Sequence, residues 1–279
     1  MRYLLTGAAG QLGSAFRARL ADGAELAAWT REVVDLSTEG AIGPAVAALR
    51  PDVILNCAAY NQVDRAEDDA PAAMAVNAFA VHDLARAAAA CGARLVHYST
   101  DFVFDGLATS PYTETDPANP QSVYGQSKLV GEWLALSAPD SLVLRVESLF
   151  GGPASHSSVD RIVASLRAGE PARVFVDRIV SPSFVDDVVD ATLHLLASRA
   201  PGGVYHCVNS GQTTWQGLGE AAAALLGVAP RLVPVRVADV ALRAPRPRYC
   251  ALSNAKIAAA GAAMPAWEDA LARHVRSLA

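Results

Sequence analysis

The feature that most constrains this chain stands at its beginning: a short apolar run, residues 2–6, passes straight into the glycines of TGAAGQLG and then into an amphipathic segment over 11–20. Strand, tight turn and helix in immediate succession call for parallel neighbours and covering helices, because an apolar strand of this kind is buried on both faces. The chain supplies them in order. Residues 25–29 read as a strand, 38–49 as a helix, 53–56 as a buried strand, 70–91 as a long helix and 94–99 as another strand. Such alternation predicts an α/β fold with a Rossmann-type doubly wound parallel sheet, right-handed crossovers and binding loops at the carboxyl ends of the strands.

After Asp105 the pattern loosens into a polar, proline-rich loop, TSPYTETDPANPQS, of the length that in a compact domain usually serves function. A helix over 123–136 and a strand over 142–146 follow; beyond them come GGPASHSS with a helix, a strand at 174–176, a helix at 186–198 and a strand at 204–208. The last part alternates helix with connections such as VAPRLVPV and RAPRPRY, which reads as a smaller lobe. The expected division is a dinucleotide-binding domain of 1–148 with 174–208, and a C-terminal substrate-binding lobe of 149–173 with 209–279.

Composition excludes several classes of function. With 52% hydrophobic and 18% charged residues the chain is an ordered globular protein. A net charge of −5 offers no basic field for nucleic acid, and no polybasic patch suits a membrane surface. No apolar stretch is long enough to span a bilayer and no basic, cleavable leader is evident, so the expected location is cytoplasmic. Cys57, Cys91, Cys207 and Cys250 lack metal-ligand spacing and read as free thiols.

In the glycine turn, Gly7 allows the sharp bend, Gly10 lets backbone amides approach a pyrophosphate at the helix N-terminus, and Gly13 lets the helix press on the strand. After the second strand, Trp29-Thr30-Arg31 has no acid at the position that would bond a ribose 2′-hydroxyl. Thr30 and Arg31 can instead receive a 2′-phosphate, which favours NADP(H) over NAD(H), with Asp35 and Leu36 beside the adenine.

Tyr124 and Lys128 stand four residues apart on one helical face, in a chain with seven tyrosines but only two lysines. Ser99-Thr100-Asp101 ends a predicted central strand at the same sheet edge. These are the parts of a carbonyl reductase. Hydride addition to a ketone builds charge on oxygen that a tyrosine can protonate, and a neighbouring ammonium is expected to bring the phenol's pKa down. Thr100 would hydrogen-bond the developing oxyanion.

These residues sit in segments that resemble the extended short-chain dehydrogenase/reductases, and within them the dTDP-4-dehydrorhamnose reductase group: TGAAGQLG, NCAAYNQVDRAEDDAPAAMAVNAFAVHDLA, YSTDFVFDG, NPQSVYGQSKLVGE, LRVESLFG, DRIVSPSFVDDVVDA, LSNAKIAAAG and PAWEDAL. The resemblance covers nearly the whole chain and implies reduction of the 4-keto group of a nucleotide-activated 6-deoxyhexose, with Thr100, Tyr124 and Lys128 as the catalytic set. It implies cofactor contacts from Gly7, Gly10, Gln11, Leu12, Ala58, Ala59 and Tyr60, and places Asn61, Val63, Asp101 and Phe102 beside the sugar. Relatives read LRxSWxxG after the fifth strand, with the tryptophan at the sugar; here that position is Ser148. Some relatives dimerise through magnesium bound by a glutamate where this chain has Ser14, Ala15 and Phe16, so no metal is expected, and the chain is expected to be a monomer or homodimer. Arg161, Arg178, Arg246 and Arg248 fall in the part that the resemblance gives to the substrate lobe, where guanidinium forks suit phosphate. His156, His194 and His206 read as structural. The alternatives are a sugar-nucleotide epimerase or epimerase-reductase of the same fold, for which no further acid-base residue stands out, and a non-catalytic regulatory subunit that keeps the NADP pocket.

Overall fold

Because Tyr3 to Thr6 of β1 (Arg2–Thr6) are all buried, this strand needs a partner on each side. It finds β2 (Glu25–Trp29) on one edge and β3 (Val53–Asn56) on the other, both parallel. Adding β4 (Arg94–Thr100), β5 (Leu142–Val146) and β6 (Gly203–His206) completes a six-stranded parallel sheet in the order β6-β5-β4-β3-β1-β2. This is the doubly wound sheet expected from the alternation. The chain leaves β1 toward one side and returns on the other, so the loops after β1 and β3 part and open a crevice at the strands' carboxyl ends. The computed structural model describes residues 1–153 and 157–278, so His156 lies outside the described residues.

Strand side chains alternate between two cores, as a period of two requires. Leu5, Leu55, Val96 and Leu144 face α1 (Gln11–Leu20) and the helix Val185–Ala197. Leu4, Ile54, Leu95 and Val143 face α2 (Ile42–Leu49), α3 (Ala80–Cys91) and Ala135 at the end of α4 (Val123–Ala135). A separate core gathers Phe150, Val163, Trp215, Leu218 and Leu271 from the helices Ser158–Arg167, Trp215–Leu226 and Trp267–Ser277.

Three local expectations change. The helix at 38–49 begins only at Ile42. The expected helix at 70–91 is interrupted by a π-helical turn, Ala75–Phe79, between Ala70–Met74 and α3. That wider turn buries Asn77, whose amide accepts from Tyr60 N (2.9 Å) and donates to Tyr60 O (3.0 Å); average periodicity cannot show one inserted residue. The strand read at 174–176 is Ala172–Phe175, and it pairs in parallel with Leu232–Val235 outside the main sheet.

Asp160 ties the glycine turn to the smaller core. It accepts from Gln11 Nε2 at 3.3 Å and lies 3.0 Å from His274 Nε2, while Gln11 Nε2 also donates to Gly151 O at 3.0 Å. Burial alone would raise the Asp160 pKa, but the close approach of His274 and hydrogen bonds with Ser157 and the Gly151 amide prevail and hold it down at about 2. A carboxyl depressed in the folded state stabilises above its unfolded pKa, and that contribution is lost as pH falls through the folded value. The stability difference between the native chain and Asp160→Asn, read from denaturant midpoints, is therefore expected to be flat above pH ~4 and to shrink toward pH ~2. A difference that stays constant across that window contradicts the assignment.

Candidate active site

Gly7 has φ 65°, and a Cβ there would lie 2.6 Å from Ala58 N and 2.7 Å from Cys57 O, so only glycine lets β1 turn this tightly against the end of β3. The next turn is closed by Gly10 N donating to Gly7 O (2.9 Å), and α1 begins with no acidic residue in its first turn. A helix N-terminus of this kind suits a pyrophosphate. A cavity of about 400 Å³ extends from it, with Gly7, Gly10, Gln11, Leu12, Ala58 and Ala59 at the turn, Thr30, Arg31, Asp35 and Leu36 after β2, and Tyr124 and Lys128 from α4. The nicotinamide dinucleotide expected from sequence fits this cradle. Asn61 also lines it, whereas Tyr60 does not; the Tyr60 backbone is clamped by Asn77 instead. One feature near Arg31 escaped the sequence reading. The Thr30 hydroxyl donates to Glu32 Oε2 at 2.5 Å, which leaves Arg31 as the cation in the cavity wall at this end.

Tyr124 and Lys128 occupy successive turns of α4, whose N-cap Ser122 accepts from Gly125 N at 3.1 Å. A Cβ on Gly125 would stand 2.3 Å from Phe102 O, so this glycine is what lets the helix start press against the turn Asp101–Val103. That approach sets the Phe102 ring edge-on to Tyr124 at 5.5 Å and brings Thr100, the last residue of β4, to the phenol. The Thr100 hydroxyl accepts from Phe102 N (3.2 Å) and donates to Asp101 Oδ1 (2.9 Å).

The electrostatics correct one expectation. Burial, reinforced by the Asp101 carboxylate and opposed by the Thr100 hydrogen bond, pushes the Tyr124 phenol up to about 12 rather than down. The Lys128 ammonium is turned toward β4, donating to Tyr98 O at 2.6 Å and standing 3.5 Å from His97 Nε2. Burial brings Lys128 down to about 8, with Glu132 opposing. Desolvation therefore sets the direction of the shift, and Tyr124 is held in its acid form at neutral pH.

Next to Thr100 lies a cluster that the sequence reading did not find. Asp101, Glu147 and Cys250 are buried, with donor atoms all within 4.8 Å of one another. Burial raises both carboxyls, Glu147 far above the ordinary range, and each raises the other's cost of ionising. Arg178 supplies the positive charge: its Nη2 donates to Cys250 Sγ at 3.3 Å and its Nε to Pro247 O at 3.1 Å. Burial also pushes the Cys250 thiol far up, so this set already contains its cation and is poorly suited to a metal. Ser148 belongs to the same corner, with φ 46° and its hydroxyl donating to Glu147 Oε1 at 2.6 Å. A second charged residue, two positions after Arg145 in LRVESLF, was the available signal for Glu147.

The remaining candidates separate. Arg161 and Arg178 line a second cavity of about 280 Å³, together with Arg173, Phe175 and Trp215. The Trp215 Nε1–H is buried and has no hydrogen-bond partner among the described residues. Arg246 is bound to Asp64 Oδ2 (2.7 Å) and its guanidinium stands 6.0 Å over the Phe102 ring, while Arg248 is exposed. Val63 begins a short helical turn, Val63–Ala66, and lines neither cavity. His194 is exposed; His206 is buried against Phe104 and Arg145, and burial followed by Arg145 lowers it to about 3.

Comparison with known proteins agrees with this arrangement. The RmlD substrate binding domain family matches residues 1–279. A dTDP-4-dehydrorhamnose reductase of Burkholderia thailandensis is 36% identical, covering 100% of this chain and 99% of its own. One of Mycobacterium tuberculosis is 39% identical, covering 97% and 91%. The crystal structure of a dTDP-4-dehydrorhamnose reductase from Bacillus anthracis, in complex with NADP, superposes with TM-score 0.93 at 28% identity over 99% of each chain. With a family match over residues 1–279 and relatives 36–39% identical over nearly their full length, the chain belongs to the dTDP-4-dehydrorhamnose reductase family of extended short-chain dehydrogenase/reductases.

Proposed function

We propose that this chain reduces the 4-keto group of a dTDP-activated 6-deoxyhexose, using NADPH. The observation that carries this reading is the placing of Tyr124, with Thr100 hydrogen-bonded to it, and Lys128 in the wall of a glycine-lined cavity that also presents Arg31. When bound, the reduced nicotinamide supplies hydride to the carbonyl carbon. Tyr124, protonated at neutral pH, delivers its phenolic proton to the carbonyl oxygen, and Thr100, its hydroxyl turned from Asp101 Oδ1, donates to that oxygen as charge builds on it. Lys128 orients the nicotinamide ribose and returns positive charge to the phenolate once the proton has left. Arg161, with Phe175 and Trp215, forms the place for the nucleotide, aromatic faces for the base and a guanidinium fork for phosphate, while Arg178, held to Pro247 O and Cys250 Sγ, adds its charge from the cavity wall. Among the described residues no helix is long and apolar enough to cross a membrane.

The decisive test follows nicotinamide absorbance with dTDP-, UDP- and GDP-linked 4-keto-6-deoxyhexoses. Turnover is expected with NADPH and the dTDP sugar. Tight cofactor binding without turnover on any of the three contradicts the reading and favours a regulatory protein. Replacing Arg31 with alanine is expected to raise KM for NADPH by on the order of tenfold and leave that for NADH within twofold, the loss of one charge-assisted hydrogen bond at an exposed position. Equal effects on the two cofactors would remove Arg31 from the 2′-phosphate.

A further inference from the structure

On the sheet side of the lysine, four buried side chains from four elements form one polar line. Thr6 of β1, Asn56 of β3 and His97 of β4 are register neighbours across three parallel strands, and Lys128 of α4 reaches them from above. Thr6 Oγ1 lies 2.6 Å from Asn56 Oδ1, Asn56 Nδ2 lies 3.0 Å from His97 Nδ1, and His97 Nε2 lies 3.5 Å from Lys128 Nζ. The reaction described above uses only the last of the four.

Donor counting decides which way these bonds run. An ammonium has three N–H groups and accepts nothing, so the nitrogen facing it must be bare. His97 is neutral, since burial and the neighbouring Lys128 both press its pKa well below the ordinary value. With Nε2 bare, its one proton sits on Nδ1 and needs an acceptor. Asn56 can be that acceptor if its amide is turned end for end, Oδ1 toward His97 and Nδ2 toward Thr6 Oγ1; the two ends have nearly the same shape, so partners and not size choose between them. The opposite run, with Asn56 Nδ2 donating to Nδ1, sets an Nε2–H against Lys128. It is satisfied only by a neutral amine.

We propose that His97 is a positioning residue for Lys128: it accepts one ammonium N–H on Nε2, the Tyr98 carbonyl accepts the second, the third is left for the cavity, and the His97 tautomer follows the charge on the lysine. The line ends at Thr6, immediately before Gly7, so the same proton order links the lysine to the strand that carries the glycine turn. Besides His97, the titratable groups that face Lys128 are Cys57, after β3, and Glu132, one turn further along α4. The consequence for turnover rests on the proposed reduction; the tautomer is a property of the chain alone.

The test is two-bond ¹⁵N–¹H correlation on the cofactor-free protein with ¹⁵N-labelled histidine, His97 being assigned by its loss in His97→Gln. Below pH ~7 the expected spectrum shows Nδ1 protonated and Nε2 bare, and the pattern moves toward Nε2–H as pH passes the Lys128 value of about 8. In Lys128→Met the preference for Nδ1–H is expected to disappear at every pH. An Nε2–H tautomer at neutral pH, a doubly protonated ring, or a spectrum unchanged in Lys128→Met overturns the proposal. In turnover, His97→Leu is expected to lose kcat by on the order of tenfold, the loss of about one net hydrogen bond, and His97→Gln to recover most of it. Native kcat in a folded His97→Leu protein removes the positioning role, and if that variant fails to fold the Lys128→Met spectrum decides.

Discussion

Tyr124→Phe is expected to lower kcat by about 10²–10⁴-fold while cofactor affinity stays within twofold, because the change deletes only the acid hydroxyl and keeps the ring. The ring is what packs: it meets Phe102 edge-on at 5.5 Å, on a helix start fixed by the Ser122 cap and by the close approach of Gly125. With the phenol held at about 12, the native enzyme keeps its proton to high pH, so kcat/KM for reduction should fall only on the alkaline side, as Lys128 loses its charge near 8. Measuring kcat, kcat/KM and cofactor Kd for native and Tyr124→Phe proteins across pH ~6–9 checks both statements. Unchanged turnover in the variant removes Tyr124 from the acid role; a large loss of cofactor affinity would make its contribution one of binding.

The largest expected effect on stability lies one turn beyond Lys128. Glu132 and Arg145 form a buried two-pronged pair between α4 and β5, Nε to Oε1 at 2.8 Å and Nη2 to Oε2 at 2.7 Å, with side chains only 2% and 6% exposed. Arg145 also lies over the Phe104 ring at 4.9 Å and next to His206. Removing one partner strands the other charge in the core, so Glu132→Ala is expected to cost about 3–5 kcal/mol in equilibrium denaturation. Replacing both by apolar residues of similar volume should cost far less, since desolvation of the pair offsets most of its attraction. A loss below about 1 kcal/mol in Glu132→Ala would mean that water reaches the pair. Because Glu132 also opposes the downward shift of Lys128, its loss should move the alkaline limb of kcat/KM to lower pH. Stability and pH profile would thus change together in one variant.

The sheet and the cofactor turn were legible because their signals are local. An apolar run followed by TGAAGQLG states a strand, a bend and a helix start within a few residues, and the alternation that follows leaves only the parallel sheet. The tyrosine–lysine pair was legible for the same reason: four residues on a helix is a fixed separation in space. Asn77 was not, because a π-helical turn leaves the average helical period almost intact. Nor was the partner of Ala172–Phe175, which comes from residues about sixty positions on.

What the sequence by itself determined, then, is the order of elements, the cradle for a dinucleotide and which residues are candidates for the chemistry. Tertiary structure alone decided their state. Whether Lys128 lowers Tyr124 or is turned to Tyr98 O and His97, and whether Asp101 meets solvent or meets Glu147, Arg178 and Cys250, depends on which side chains from distant strands share a dry space. The physical reason is that local spacing sets where a group stands, whereas its proton affinity is set by desolvation and by neighbours that the chain order does not reveal.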